Sequence, residues 1–131
     1  MIAGIGIDIV EHGRVERIHE RYGEKFARRI LDDTEMEDYQ GASSKARLLA
    51  KRFAAKEAAV KALGTGFSMG ITLNMVAIRH DDSGRPLLEL NSVAKKVAES
   101  KGVDVLLISI SDETEYAVAM VVFEAYTSGL A

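Results

Sequence analysis

The stretch Arg52-Phe53-Ala54-Ala55-Lys56-Glu57-Ala58-Ala59-Val60-Lys61-Ala62-Leu63-Gly64-Thr65-Gly66 constrains this chain more than any other. It reads as a helix that carries a carboxylate between two lysines and then stops at glycine. At about 100° per residue, Leu49, Phe53, Val60 and Leu63 share one stripe, Lys56 projects from its middle, and Glu57 and Lys61 line its edge. An ammonium buried without a partner is strongly unfavourable. Lys56 therefore calls for a seam between subunits, a bound anion or a paired carboxylate.

The N-terminal Met1-Ile2-Ala3-Gly4-Ile5-Gly6-Ile7-Asp8-Ile9-Val10 alternates with period two. Ala3, Ile5, Ile7 and Ile9 fall on one strand face, and Gly4, Gly6 and Asp8 on the other. Two glycines beside an acid remove side-chain bulk and let a second backbone or a ligand come close, which suits a carboxylate that holds a metal. The plainer alternative is that Asp8 ends the strand and caps a helix starting near Glu11.

At 131 residues the chain is one domain, 1–131, large enough for a core but thin if few helices must cover a sheet, so that oligomerisation would help. It has no cysteine, which excludes disulfides, thiolate metal sites and cysteine nucleophiles and leaves hard oxygen ligands. No apolar run approaches the ~20 residues that span a bilayer, and no basic region precedes a cleavable apolar segment at the N-terminus. The expectation is a cytoplasmic protein without a membrane role. A net charge of -3 argues against general nucleic-acid binding, and the length leaves no room for a separate recognition module.

Pattern and punctuation predict a strand over 2–10 and a helix from about Glu11 to Tyr22, with further helix through Phe26 and Ile30 unless Gly23 breaks it. Thr34 with Glu37 reads as a capping box for a short helix, followed by a loop at Gly41-Ala42-Ser43-Ser44. The long helix runs from about Lys45 to Leu63. A strand over roughly 72–80 turns through Asp81-Asp82-Ser83-Gly84-Arg85-Pro86 into Leu87-Leu88-Glu89-Leu90, and Asn91 can cap a helix that ends before Gly102. Val103–Ser111 and Tyr116–Phe123, joined through Asp112-Glu113-Thr114-Glu115, form an antiparallel hairpin rich in β-branched residues.

The Gly-Ile-Asp-Ile-Val start, with Arg-Phe-Ala-Ala-Lys-Glu-Ala about fifty residues later and a Lys four beyond the Glu, resembles the 4′-phosphopantetheinyl transferases, and within them the short bacterial holo-acyl-carrier-protein synthases. The likeness runs through most of the chain and includes Glu11-His12-Gly13-Arg14-Val15-Glu16-Arg17, Gly64-Thr65-Gly66, Gly84-Arg85-Pro86 and the final hairpin. It implies an α+β fold with an antiparallel sheet packed against a long helix. It also implies a homotrimer whose active sites lie at subunit interfaces.

The reaction that the resemblance implies moves the phosphopantetheine arm of coenzyme A onto a serine of an acyl carrier protein, as in fatty acid biosynthesis. Attack at a pyrophosphate phosphorus builds charge on oxygens, so a divalent cation, Mg²⁺, is the expected electrophile. Asp8 and Glu57 match the family's metal ligands; one or two carboxylates with waters and substrate phosphates is a usual way to hold Mg²⁺. Glu57 and Lys61 are the candidate catalytic residues. Lys61 lies one turn beyond Glu57, able to neutralise developing charge and to protonate the leaving phosphate. The bland alternative is an i,i+4 surface pair between Glu57 and Lys61, worth about 0.3–0.5 kcal/mol. The base for the incoming serine stays open among Glu57, a metal-bound water and a group on the carrier. Arg52, Lys56, Lys61 and Gly64 are the expected coenzyme A contacts, with Arg52 and Lys56 alternatively meeting a neighbouring subunit, and Gly84-Arg85-Pro86 is a turn that could reach the adenine end.

Asp112 departs from a common family variant that carries His at that position, which argues against a direct phosphate contact there. His12, His19 and His80 show no metal-like clustering. Arg14, Arg17 and Arg21, with Arg28 if the helix continues, form a basic ridge on an acidic protein, with Ile18 beside it. Such a ridge suits an acidic carrier protein. The alternative is a solvated face balanced by Glu16, Glu20 and Glu24. Two rival readings remain at this level: a non-catalytic phosphate-binding or scaffolding subunit, and a different metal-dependent phosphotransferase or nuclease, which would bring more acids onto two metals.

Overall fold

Gly4 and Gly6 set the layering of the molecule. In the computed structural model, which describes residues 1–126, a Cβ on Gly4 would lie 2.0 Å from the carbonyl oxygen of Ala62, and one on Gly6 would lie 1.9 Å from that of Ala58. Strand β1 (Ile2–Glu11) thus lies directly on the backbone of the long helix α4 (Lys45–Leu63), at a distance no other residue type would allow.

Between them the chain forms α1 (His12–Tyr22), α2 (Glu24–Ile30) and α3 (Asp33–Gly41). After α4 come two short 3₁₀ turns, the hairpin β2 (Val76–His80) and β3 (Pro86–Leu90), helix α5 (Ser92–Ser100), and strands β4 (Val105–Asp112) and β5 (Tyr116–Glu124). An antiparallel sheet in the order β1-β5-β4 pairs Asp8 with Ala119 and Ile108 with Val121; β2 and β3 form a second, two-stranded sheet. The fold is α+β, as expected. Ala117, Ala119, Val121 and Phe123 on β5 meet the alanine-rich side of α4 in the core. Among the described residues no helix is long and apolar enough to cross a membrane.

The isoleucine face of β1 looks outward. Ile5, Ile7 and Ile9 are 62%, 59% and 62% exposed, and Met120 on β5 and Leu107 on β4 join them on the open side of the sheet. The glycine face is inside because only it lets α4 approach.

Local signals hold, with shifts at several boundaries; β4, for one, runs from Val105 to Asp112 rather than Val103 to Ser111. Gly64 ends α4 in the left-handed region at φ 79°, its N–H donating to Val60 and Lys61 carbonyls. Gly23, at φ 55°, does break the first helix, so Arg28 belongs to α2. The capping box falls on Asp32 and Glu35 rather than Thr34 and Glu37: Asp32 Oδ1 accepts the Glu35 N–H at 2.9 Å and Glu35 Oε1 accepts the Asp32 N–H at 3.2 Å. Starting there turns Glu35 inward to buried cations. Helix α3 takes in Gly41, and the expected strand over 72–80 begins only at Val76, because Leu73–Met75 forms a 3₁₀ turn.

Candidate active site

Asp8 continues the inward face of β1 beyond Gly6, where the glycines have brought α4 close enough for Lys61 and Glu57 to face it. Lys61 Nζ donates to Asp8 Oδ1 and to the Ile7 carbonyl, both at 3.0 Å. Asp8 and Glu57 line one cavity of about 480 Å³, with Arg14, Ile18, Phe53 and Tyr116 among its walls. Burial first, and then the nearby Asp8, raise the Glu57 carboxyl above its ordinary value, with Lys61 opposing. Asp8 is no helix cap, since Glu11 occupies the cap position of α1 and no side chain bonds there. Lys61 pairs with Asp8 rather than making the i,i+4 surface pair with Glu57.

Two hard carboxylates from separate elements, one already drawing an ammonium, form a donor set suited to a divalent cation. Among the described residues no third His, Asp or Glu joins them. The remaining coordination sites would fall to water and substrate oxygens.

Lys56 stands elsewhere. Its ammonium is wholly buried and donates to Glu35 Oε1 at 2.7 Å, the Val76 carbonyl at 2.6 Å and the Leu73 carbonyl at 3.2 Å. Of the three partners its position calls for, the structure supplies the carboxylate, within the same chain. With all three donors filled, Lys56 presents nothing to coenzyme A or to a neighbouring subunit, which corrects both expectations for it. Burial draws its pKa down, and Glu35 opposes. Arg52 donates to Glu35 at 3.3 Å and to Asp38 at 3.3 Å, and it also borders a cavity of about 240 Å³ with Lys51, His80, Gly84, Pro86 and Asp112. Near Gly64 the Lys101 ammonium donates to the Leu63 carbonyl and so covers the negative end of α4.

Asp112 is exposed but held by bonds within the chain. Its Oδ1 lies 2.5 Å from His12 Nε2 and accepts from Arg47 at 2.8 Å, while Arg47 also holds the Glu113 and Thr114 carbonyls. This cluster ties the β4–β5 turn to α1 and α4, and the sequence reading missed it.

On the ridge, Arg14, Arg17 and Arg21 are exposed with Ile18 half-buried among them. Ile18 and Phe26 line both the acid cavity and an adjoining groove of about 570 Å³ with Tyr22, Lys25 and Arg29. Arg28 does not extend the ridge; it pairs with Glu24 at 3.2 Å and borders a different hollow with Asp32 and Asn74. Lys25, Phe26 and Arg29 went unread because the bend at Gly23 decides which side of α2 meets α1.

The chain is 51% identical over 124 residues to the holo-[acyl-carrier-protein] synthase of Aliivibrio salmonicida, an alignment covering 95% of this chain and 98% of that protein. Its fold superposes on the crystal structure of holo-[acyl-carrier-protein] synthase from Neisseria meningitidis with a TM-score of 0.89 at 40% identity, covering 95% of this chain and 99% of that one. It also matches a holo-(acyl-carrier-protein) synthase from Bacillus anthracis in complex with CoA (3',5'-ADP), with a TM-score of 0.80 at 38% identity and coverage of 96% and 99%. The family model for the 4'-phosphopantetheinyl transferase superfamily matches residues 4–121, a span that holds Asp8, Glu57 and Lys61 alike. This chain belongs to the 4'-phosphopantetheinyl transferase superfamily.

Proposed function

We propose that the protein is a Mg²⁺-dependent holo-acyl-carrier-protein synthase. It transfers the 4′-phosphopantetheine group of coenzyme A to a serine hydroxyl of an acyl carrier protein and releases adenosine 3′,5′-bisphosphate. The observation that carries this reading is the meeting of Asp8 and Glu57 in one cavity, with Lys61 on Asp8.

In the transfer, the serine oxygen bonds to the β-phosphorus of coenzyme A, the P–O bond to the α-phosphate breaks, and the serine proton passes to a base, with Glu57 and a group on the carrier as the side-chain candidates. Asp8 and Glu57 would hold Mg²⁺, which supplies neutralising charge to the pyrophosphate. Lys61 directs its ammonium at the same gap, where it can offset charge on the departing phosphate and give it a proton. Arg52 and the backbone at Gly64 are the proposed coenzyme A contacts.

The carrier docks on α1 through Arg14, Arg17 and Arg21 around Ile18. That groove runs into the acid cavity, so a serine on a docked carrier has a short path to the pyrophosphate. Long-range attraction between the ridge and an acidic partner raises the encounter rate more than the final affinity.

The active form in this reading is a homotrimer. The support is the open isoleucine face of the β1-β5-β4 sheet, an apolar surface of the kind that subunit interfaces cover. The reading includes a cytoplasmic setting, where both substrates belong. Incubation with apo carrier protein, coenzyme A and Mg²⁺ should add a phosphopantetheine mass to the carrier, and Asp8→Ala or Glu57→Ala should abolish the addition. Absence of that mass with a competent carrier rejects the reading; sedimentation at working concentration tests the trimer separately.

A further inference from the structure

Lys56 and Glu57 are adjacent on α4 and so project about 100° apart, toward different neighbours. Glu57 reaches the acid cavity against β1, while Lys56 runs into the core toward α3 and β2. Helix α4 buries Leu49, Val60 and Leu63, but Ala54, Ala55, Ala58, Ala59 and Ala62, all 6% exposed or less, make up much of the rest of its buried surface. Against β1 it meets the bare backbone of Gly4 and Gly6. The alanine–glycine contact has shallow relief, so on that side few side-chain ridges fit into grooves to resist turning about the helix axis.

Directional bonds supply that resistance on the far side. Lys56 has three acceptors, and Glu35 has four donors: Lys56 Nζ and the Asp32 N–H on Oε1, and the Arg52 guanidinium and the Ile78 N–H on Oε2. Lys56 and Glu35 are both wholly buried. An apolar pair of similar volume would leave the Ile78 N–H and an Arg52 donor without their acceptor, and it would lack the directional bonds that hold orientation.

We propose that Glu35 and Lys56 are positioning residues that fix the rotation of α4 and thereby the gap between the Asp8 and Glu57 carboxylates. A turn of about 10° moves a group ~6 Å from the helix axis by about 1 Å. A displacement of about 1 Å is enough to spoil a paired-ligand site. The inference rests on the acid pair being a divalent-cation site.

The test titrates the full chain with Mn²⁺ alone, followed by its paramagnetic resonance, and measures coenzyme A binding separately with chelator present. The unsubstituted chain binds Mn²⁺ and Asp8→Asn does not; failure of either result overturns the cation-site reading and this inference with it. With that control met, the double variant Glu35→Gln/Lys56→Met binds Mn²⁺ about 10-fold more weakly, a larger loss than any in coenzyme A affinity, which Arg52 beside Glu35 also affects. Unchanged Mn²⁺ affinity in the folded double variant overturns the inference, and so does a loss confined to coenzyme A. Should the double variant not fold, Lys56→Arg keeps the charge and the pair but pushes α4 aside, and unaltered Mn²⁺ binding in that variant overturns the inference equally.

Discussion

The Lys61 ammonium lies 3.0 Å from Asp8 Oδ1, bridging the gap between α4 and β1 that Glu57 also borders. It is a cation resting where a divalent ion would bind, and it is half exposed, so it can withdraw. On the proposed reaction, Lys61→Met frees Asp8 for the divalent ion and takes a positive charge and proton source from the leaving phosphate. Mn²⁺ should therefore bind more tightly while kcat falls about 100-fold. Titration and steady-state rates check the pair of effects; unaltered kcat would reduce Lys61 to a surface ion-pair partner.

Glu57 makes the site costly to the metal-free fold. Its folded-state pKa is raised by burial and by Asp8, so the folded chain binds that proton more tightly than the unfolded chain does. The stabilisation this gives is fully present below the unfolded value and is lost as pH rises through the folded one. Metal-free protein should accordingly lose melting temperature across the window just above the ordinary glutamate value of 4.5. Glu57→Gln should flatten that fall and melt higher at neutral pH. At ten times its dissociation constant a divalent cation should restore about 1.4 kcal/mol to the natural protein and nothing to Glu57→Gln. Thermal melts across pH, with chelator and with Mg²⁺, separate these outcomes.

Gly6 tests the close approach that brings the two acids together. An added methyl would meet the Ala58 carbonyl at 1.9 Å and the Ala62 nitrogen at 2.9 Å, all backbone atoms that cannot turn aside. Gly6→Ala should destabilise by at least about 1–3 kcal/mol and remove cation binding by forcing β1 from α4. Gly41→Ala is the control, because a methyl there has nothing within 4 Å. Its melting temperature should match or slightly exceed that of the natural chain.

These contacts show which parts of the molecule a sequence can disclose. Period-two alternation separated the glycine and isoleucine faces of β1, and the Lys-Glu helix with its glycine stop was visible from spacing alone. Alternation is silent, however, on which face turns inward. Greater hydrophobicity would favour the isoleucines, and the structure buries the glycines because backbone contact with α4 needs them. Lys56 was recognisable as a charge in want of a partner, but the partner, Glu35, stands on a helix whose cap was read two residues late. Asp32-x-x-Glu35 carried the same capping pattern as Thr34-x-x-Glu37, and only packing against Lys56 distinguishes them. The His12–Asp112 contact joins residues 100 positions apart, a distance at which local rules carry no information.

The arginines of α1 and α2 separate a docking surface from a balanced charged face. Arg14 borders the acid cavity and Arg21 is free of carboxylate partners among the described ion pairs, whereas Arg17 lies 3.7 Å from Glu11 and Arg28 pairs with Glu24. The bend at Gly23 turns Arg28 toward another hollow, leaving Lys25 and Arg29 beside Ile18. For an acidic carrier protein, Arg14→Ala and Arg21→Ala should each raise KM several-fold at low salt and lessen its salt dependence, with coenzyme A affinity nearly intact. Lys25→Ala should act in the same direction, and Arg28→Ala should do little. Steady-state rates from low to physiological ionic strength measure this, and an equal response at Arg28 and Arg14 would show that net charge, rather than a defined ridge, attracts the carrier.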